Sequence, residues 1–140
     1  MRKSIIAVLI TLVLSTTVIA ASVHYGKFYA KDNSGRATGT AIKSSSSYES
    51  CYATFIMSDG RRLTFRDSIE KNTVSVSGID GIECEGKGYV VNPDKTKLHG
   101  KATLIVAPGP ITSIATITVR DDTNNVIATA NLPTTTFKVV

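Results

Sequence analysis

Residues 51–66 read CYATFIMSDGRRLTFR, and their alternation decides the fold class. Cys51, Ala53, Phe55 and Met57 recur at every second position on the outgoing run, and Leu63 and Phe65 do so on the return. A period of two marks a strand with one buried face, and Asp59-Gly60 between two such runs marks a hairpin. A two-residue Asp59-Gly60 turn would pair Ile56 with Leu63 and mix the faces. A three-residue loop, Ser58-Asp59-Gly60, pairs Phe55 with Leu63 and Ala53 with Phe65. Gly60 then takes the left-handed position that such loops need. Slipping by one residue turns every side chain to the other face, so the self-consistent register is favoured. It sends Cys51, Ala53, Phe55, Met57, Leu63 and Phe65 inward, and Tyr52, Thr54, Ile56, Arg62, Thr64 and Arg66 outward.

Cys51 opens this block, and Cys84 is the chain's other cysteine. The pair is expected to form one disulfide, the simplest use of two thiols in an exported chain. Closing a loop of that length stabilises by about 3–4 kcal/mol in the chain-entropy model, less any native strain. A catalytic or metal-binding role has no support: the cysteines lack histidines at zinc spacing and do not form Cys-x-x-Cys.

Export is read from the amino terminus. Arg2 and Lys3 precede an apolar run from Ile5 to Leu14, and small residues at Val18 to Ala21 follow. That is the layout of a secretory signal peptide, spanning 1–21 with cleavage near 20–22. The alternative is an uncleaved anchor, since the apolar stretch reaches the lower edge of a membrane span. Loss of Arg2 and Lys3 takes the formal charge from +5 to +3, a mild excess. It weighs against a dedicated nucleic-acid binder, which shows clustered basic residues. The protein is expected to be periplasmic, cell-surface or extracellular.

Residues 22–140 then read as a single β-domain. Short Val-, Ile-, Thr- and Tyr-rich runs are separated by Gly, Asn, Asp and Pro, with no sustained helical periodicity. The expected architecture is all-β: one antiparallel β-sandwich or small β-barrel of about eight to ten short strands. Turns are placed at Asp32–Gly35, Gly78–Gly81, Asn92–Lys95, Ala107–Pro110 and Asp121–Asn125. Asp67 to Asn72 is the one helical suggestion, with Asp67 as a cap and Glu70 three residues on. The thin strand Arg36–Lys43 is expected at an edge or under close backbone approach. Gly86-Lys87-Gly88 is expected to break its strand, and Val126, Ala128, Ala130 and Leu132 to face inward.

Chemistry is sparse. His24 and His99 stand on different strands, without an acid or nucleophile at fixed spacing. Glu83 and Glu85 flank Cys84 on one face, whereas glycoside cleavage needs carboxylates facing each other across a cleft. Asp121 to Asn125 carries several oxygens but lacks the distal Glu of a calcium loop. Gly86-Lys87-Gly88 has neither the spacing nor the helix of a phosphate loop, so no cofactor is implied. Tyr52, Ile56, Arg61, Arg62 and Arg66 make the densest basic and apolar surface group. Their composition suits a protein contact, and equally a solvated edge guarded by charge.

The function expected from these residues is non-catalytic: an exported, disulfide-bonded β-domain that binds another envelope or extracellular protein, or a small ligand. One alternative is a structural subunit of a surface assembly, with Thr134–Val140 adding a strand to a neighbour. A small hydrolase with a dispersed site is the other.

Overall fold

Alternation gives each strand one apolar face, and short loops return each strand beside its predecessor, so the chain builds a meander. The computed structural model describes residues 27–41, 51–134 and 136–139. Its strands are β1 (Lys27–Asp32), β2 (Gly35–Thr40), β3 (Tyr52–Met57), β4 (Arg62–Val76) and β5 (Ile79–Val91). They continue with β6 (Lys97–Ala107), β7 (Ser113–Arg120), β8 (Val126–Thr134) and β9 (Thr136–Val139). All join one antiparallel sheet in the order β8-β7-β6-β5-β4-β3-β2-β1-β9, and the described residues contain no helix. The sheet curls around its apolar face. Its two ends are successive pieces of chain: β8 pairs with β7, and β9, one residue further on, pairs with β1.

The concave side holds the core. Phe55, Phe65, Leu63, Leu104, Ile117, Leu132, Val90, Val106 and Val119 are its largest fully buried side chains. Alanines at 30, 37, 53, 102, 115 and 130 share that side, so the sheet can curl tightly around the two phenylalanines. Fully burying a side chain such as Phe55 or Leu104 contributes about 1.5–3 kcal/mol. Ser113 is buried too, its Oγ accepting a hydrogen bond from Gly109 N at 3.1 Å, and Thr64 is covered on the outward side between Thr54 and Tyr89. β2 lies between β1 and β3, so its small residues serve close approach: a Cβ on Gly39 would collide with the Tyr52 carbonyl.

The β3–β4 hairpin has the register expected from its sequence, with Ala53 opposite Phe65 and Phe55 opposite Leu63. Met57 N donates to Arg61 O at 2.9 Å, Gly60 N donates to Met57 O at 3.0 Å, and Gly60 has φ 94°. The β5–β6 and β7–β8 loops repeat this geometry, with Lys95 (φ 74°) and Asn124 (φ 69°) in the position of Gly60.

Cys51 and Cys84 form the expected disulfide, with Cα atoms 6.4 Å apart. Cys51 immediately precedes β3 and Cys84 lies on β5, so β4 runs between them. Strands two apart in a flat sheet are separated by roughly 9–10 Å. The shortfall coincides with a bulge: Arg66 faces Lys87 and Glu70 faces Glu85, leaving Asp67, Ser68 and Ile69 opposite Gly86 alone. There β4 swings aside and lets β3 and β5 approach. Ser68 Oγ accepts from Cys51 N at 3.0 Å, and Asp67 has φ 57°.

Several expectations are corrected by this arrangement. Asp67 to Asn72 is bulge and strand instead of a helical turn, because β5 offers the backbone a ladder that a lone capping pair cannot outweigh. The turn after β4 is Ser77-Gly78, both with positive φ, while Ile79 already pairs with Val76. That is the two-residue geometry matching strand twist, and Gly78 supplies its second position. Gly86 and Gly88 do not break β5. They occupy inward positions where a Cβ on Gly86 would lie 2.7 Å from Arg66 O, and one on Gly88 would lie 2.6 Å from Ala102 Cβ. Val126 points outward, opposite Arg120, because an irregularity beside Ile127 shifts the register before Ala128. Leu98 keeps the inward register opposite Val90 yet lies exposed at the rim. The amino-terminal segment 1–21 and His24 lie outside the described residues.

Candidate binding face

With β3 to β6 in register, their outward side chains form rows across the strands. One row runs Arg36, Ile56, Arg62, Val91, Lys97 from β2 to β6. The next runs Thr38, Thr54, Thr64, Tyr89, His99. A third runs Arg66, Lys87, Lys101, Arg120 from β4 to β7. No carboxylate stands in these rows. Nearby acids sit in turns, at the bulge, or further along β4 and β5 at Glu70, Glu83 and Glu85.

The middle row is organised by its aromatics. Tyr89 and His99 stack with ring centroids 5.6 Å apart and planes at 27°, and the Arg66 guanidinium lies 5.4 Å from the Tyr89 centroid. Such a cation–π contact holds the arginine against the sheet while its outer edge stays free to donate. Tyr52 and Ile56 remain 47% and 41% exposed, and the Tyr52 hydroxyl shares a 3.1 Å hydrogen bond with Thr54 Oγ1. Beside the third row lies a depression of about 550 Å³. Lys87, Lys101 and Arg120 contribute its cations, while Asp67 and Glu85 form its acidic border.

Of the residues expected at a contact surface, Tyr52, Ile56, Arg62 and Arg66 share the outward face of adjacent strands. Arg61 is placed differently. It lies in the loop before β4, where its Nε donates to Asp59 Oδ2 at 2.8 Å and its Nη1 to Thr129 O at 3.2 Å. Its guanidinium therefore braces the β3–β4 loop against β8. The alternation alone points Lys97, His99 and Lys101 outward. Lys87 and Tyr89 were hidden by reading two inward glycines as a break, although 84, 86, 88 and 90 keep one parity.

Perturbed carboxyls lie away from this face. Asp59 is held below its ordinary value chiefly by the hydrogen bond from Arg61 N, Asp94 by the Thr96 hydroxyl, and Asp121 by Asn125 N. Each carboxylate ties one of the three similar hairpin loops. Asp121 Oδ1 accepts from Thr123 N, Thr123 Oγ1 and Asn125 N, so that oxygen is committed within the turn. No group of three or more His, Cys, Asp or Glu side chains placed to hold a metal ion occurs among the described residues. The chain matches no protein-family model, and no curated protein or solved structure is similar enough to count as a relative.

Proposed function

We propose that the protein is an exported, non-catalytic binding domain that takes an acidic partner on the convex face of β3–β6. The observation behind this reading is the register itself. It gathers Arg62, Arg66, Lys87, Lys97 and Lys101 around Tyr52, Ile56, Tyr89 and His99 on four adjacent strands, without an acid among them. Rows of unneutralised cations raise the local concentration of anionic partners, and exposed aromatic and aliphatic groups add contact area. The disulfide and the amino-terminal sequence support export, and amino-terminal sequencing of secreted protein should begin between residues 21 and 23. Both ends of the sheet belong to successive strands, which favours a small barrel over a sandwich.

The test is a panel of polyanions (polyglutamate, polygalacturonate, heparin and single-stranded DNA) against neutral dextran. Binding to at least one polyanion should be lost in Arg62→Glu/Arg66→Glu and kept in Thr118→Glu/Thr129→Glu, which alters the other end of the sheet. Equal loss in both variants, or catalytic turnover abolished by a single substitution, would overturn this reading. As a subunit of an assembly, the protein would have to release Thr136–Val139, which pairs with β1 of its own chain. A stable monomer in size-exclusion chromatography is the expected result.

A further inference from the structure

The third row is unusual in its physics. Arg66 faces Lys87, Lys87 faces Lys101, and Lys101 faces Arg120, so four cations stand directly opposite one another on four neighbouring strands. Like charges in cross-strand register destabilise a sheet. Among the described residues, ion pairing relieves none of Lys87, Lys101 and Arg120, although Arg120 also reaches Asn124 O at 3.3 Å. A row of cations held together at a cost to the fold, beside a depression, suits a binding site for anions.

We propose that this row seats a linear anionic polysaccharide, with a carboxylate or sulfate on successive sugar units, lying across the strands. This rests on the acidic-partner reading above and narrows it to one chemistry. Three features select the polysaccharide. The cations repeat at the inter-strand distance of roughly 4.8 Å, comparable to the length of one sugar unit. Next, Asp67 and Glu85 border the depression. Carboxylates there repel every anionic chain alike, but they accept hydrogen bonds from the free ring hydroxyls that a sugar unit carries and a DNA backbone lacks. Last, Tyr89 is already engaged by Arg66 and His99, so it does not offer the open stacking platform on which single-stranded nucleic acids rely.

Titration calorimetry on the purified protein with polygalacturonate, heparin, fully methyl-esterified polygalacturonate and a single-stranded DNA oligomer tests the proposal. Polygalacturonate or heparin should bind, more weakly as salt rises, and the esterified polymer should bind at least about tenfold less well. Lys87→Gln/Lys101→Gln should lose at least about tenfold in affinity while unfolding at the same or a higher temperature. A residue pair that merely supported the fold would instead lower that temperature. DNA binding tighter than both polysaccharides would overturn the polysaccharide and leave the acidic-partner face standing. Undiminished polysaccharide binding in the double variant would overturn the location. Failure of every acidic probe would overturn both readings.

Discussion

Asp59, Asp94 and Asp121 each accept hydrogen bonds from their own hairpin loop, and each has its carboxyl lowered from the ordinary value of 3.8. A carboxyl lowered by folding contributes stability that is complete above its unfolded value and disappears as pH falls through the folded one. Acid unfolding followed by circular dichroism should therefore steepen as pH falls below roughly 4. Asp94→Asn and Asp121→Asn should flatten that slope. The third loop position has a separate consequence. Lys95 sits at φ 74°, in backbone space that glycine enters without the Cβ clash. Lys95→Gly should stabilise by about 0.5–1 kcal/mol in urea denaturation. Gly88→Ala should destabilise by about 1–3 kcal/mol, because its Cβ would lie 2.6 Å from that of Ala102.

Among the elements, the β3–β4 hairpin was readable because its alternation, loop glycine and register all agree. The bulge was not. Asp67-Ser68-Ile69 resembles the start of a helix by residue type, and only the presence of β5 with Gly86 opposite shows where these residues go. The two inward glycines likewise obscured the parity that carries Lys87 and Tyr89 outward, and with it the β5 part of the binding face. Bulge and disulfide act together, since β4 must step aside for Cys51 to reach Cys84. Cys51→Ala/Cys84→Ala should destabilise by about 3–4 kcal/mol, read from chemical denaturation of the purified variant.

At the scale of the molecule, sequence order predicts nearest-neighbour strands well, because short loops leave few alternatives. The joining of the last strand to the first was not legible. Nothing in the composition of TFKV distinguishes pairing with β1 from pairing with another chain. Removing residues 135–140 should expose the β1 edge, lower the thermal midpoint and increase self-association in size-exclusion chromatography. The modest overall charge concealed the basic face in the same way: total charge counts acids in turns and at the far ends of β4 and β5 equally with the cations in these rows, whereas register separates them. Screening the cation rows with salt should raise the thermal midpoint of the free protein, by about 2–5 °C between low and moderate ionic strength. The most direct test is an amide chemical-shift map of the labelled protein titrated with a short polygalacturonate oligomer. The register predicts shifts clustered at residues 62–66, 87–91 and 97–101, saturating together. Shifts confined to 126–134, or none at saturating oligomer, would contradict it.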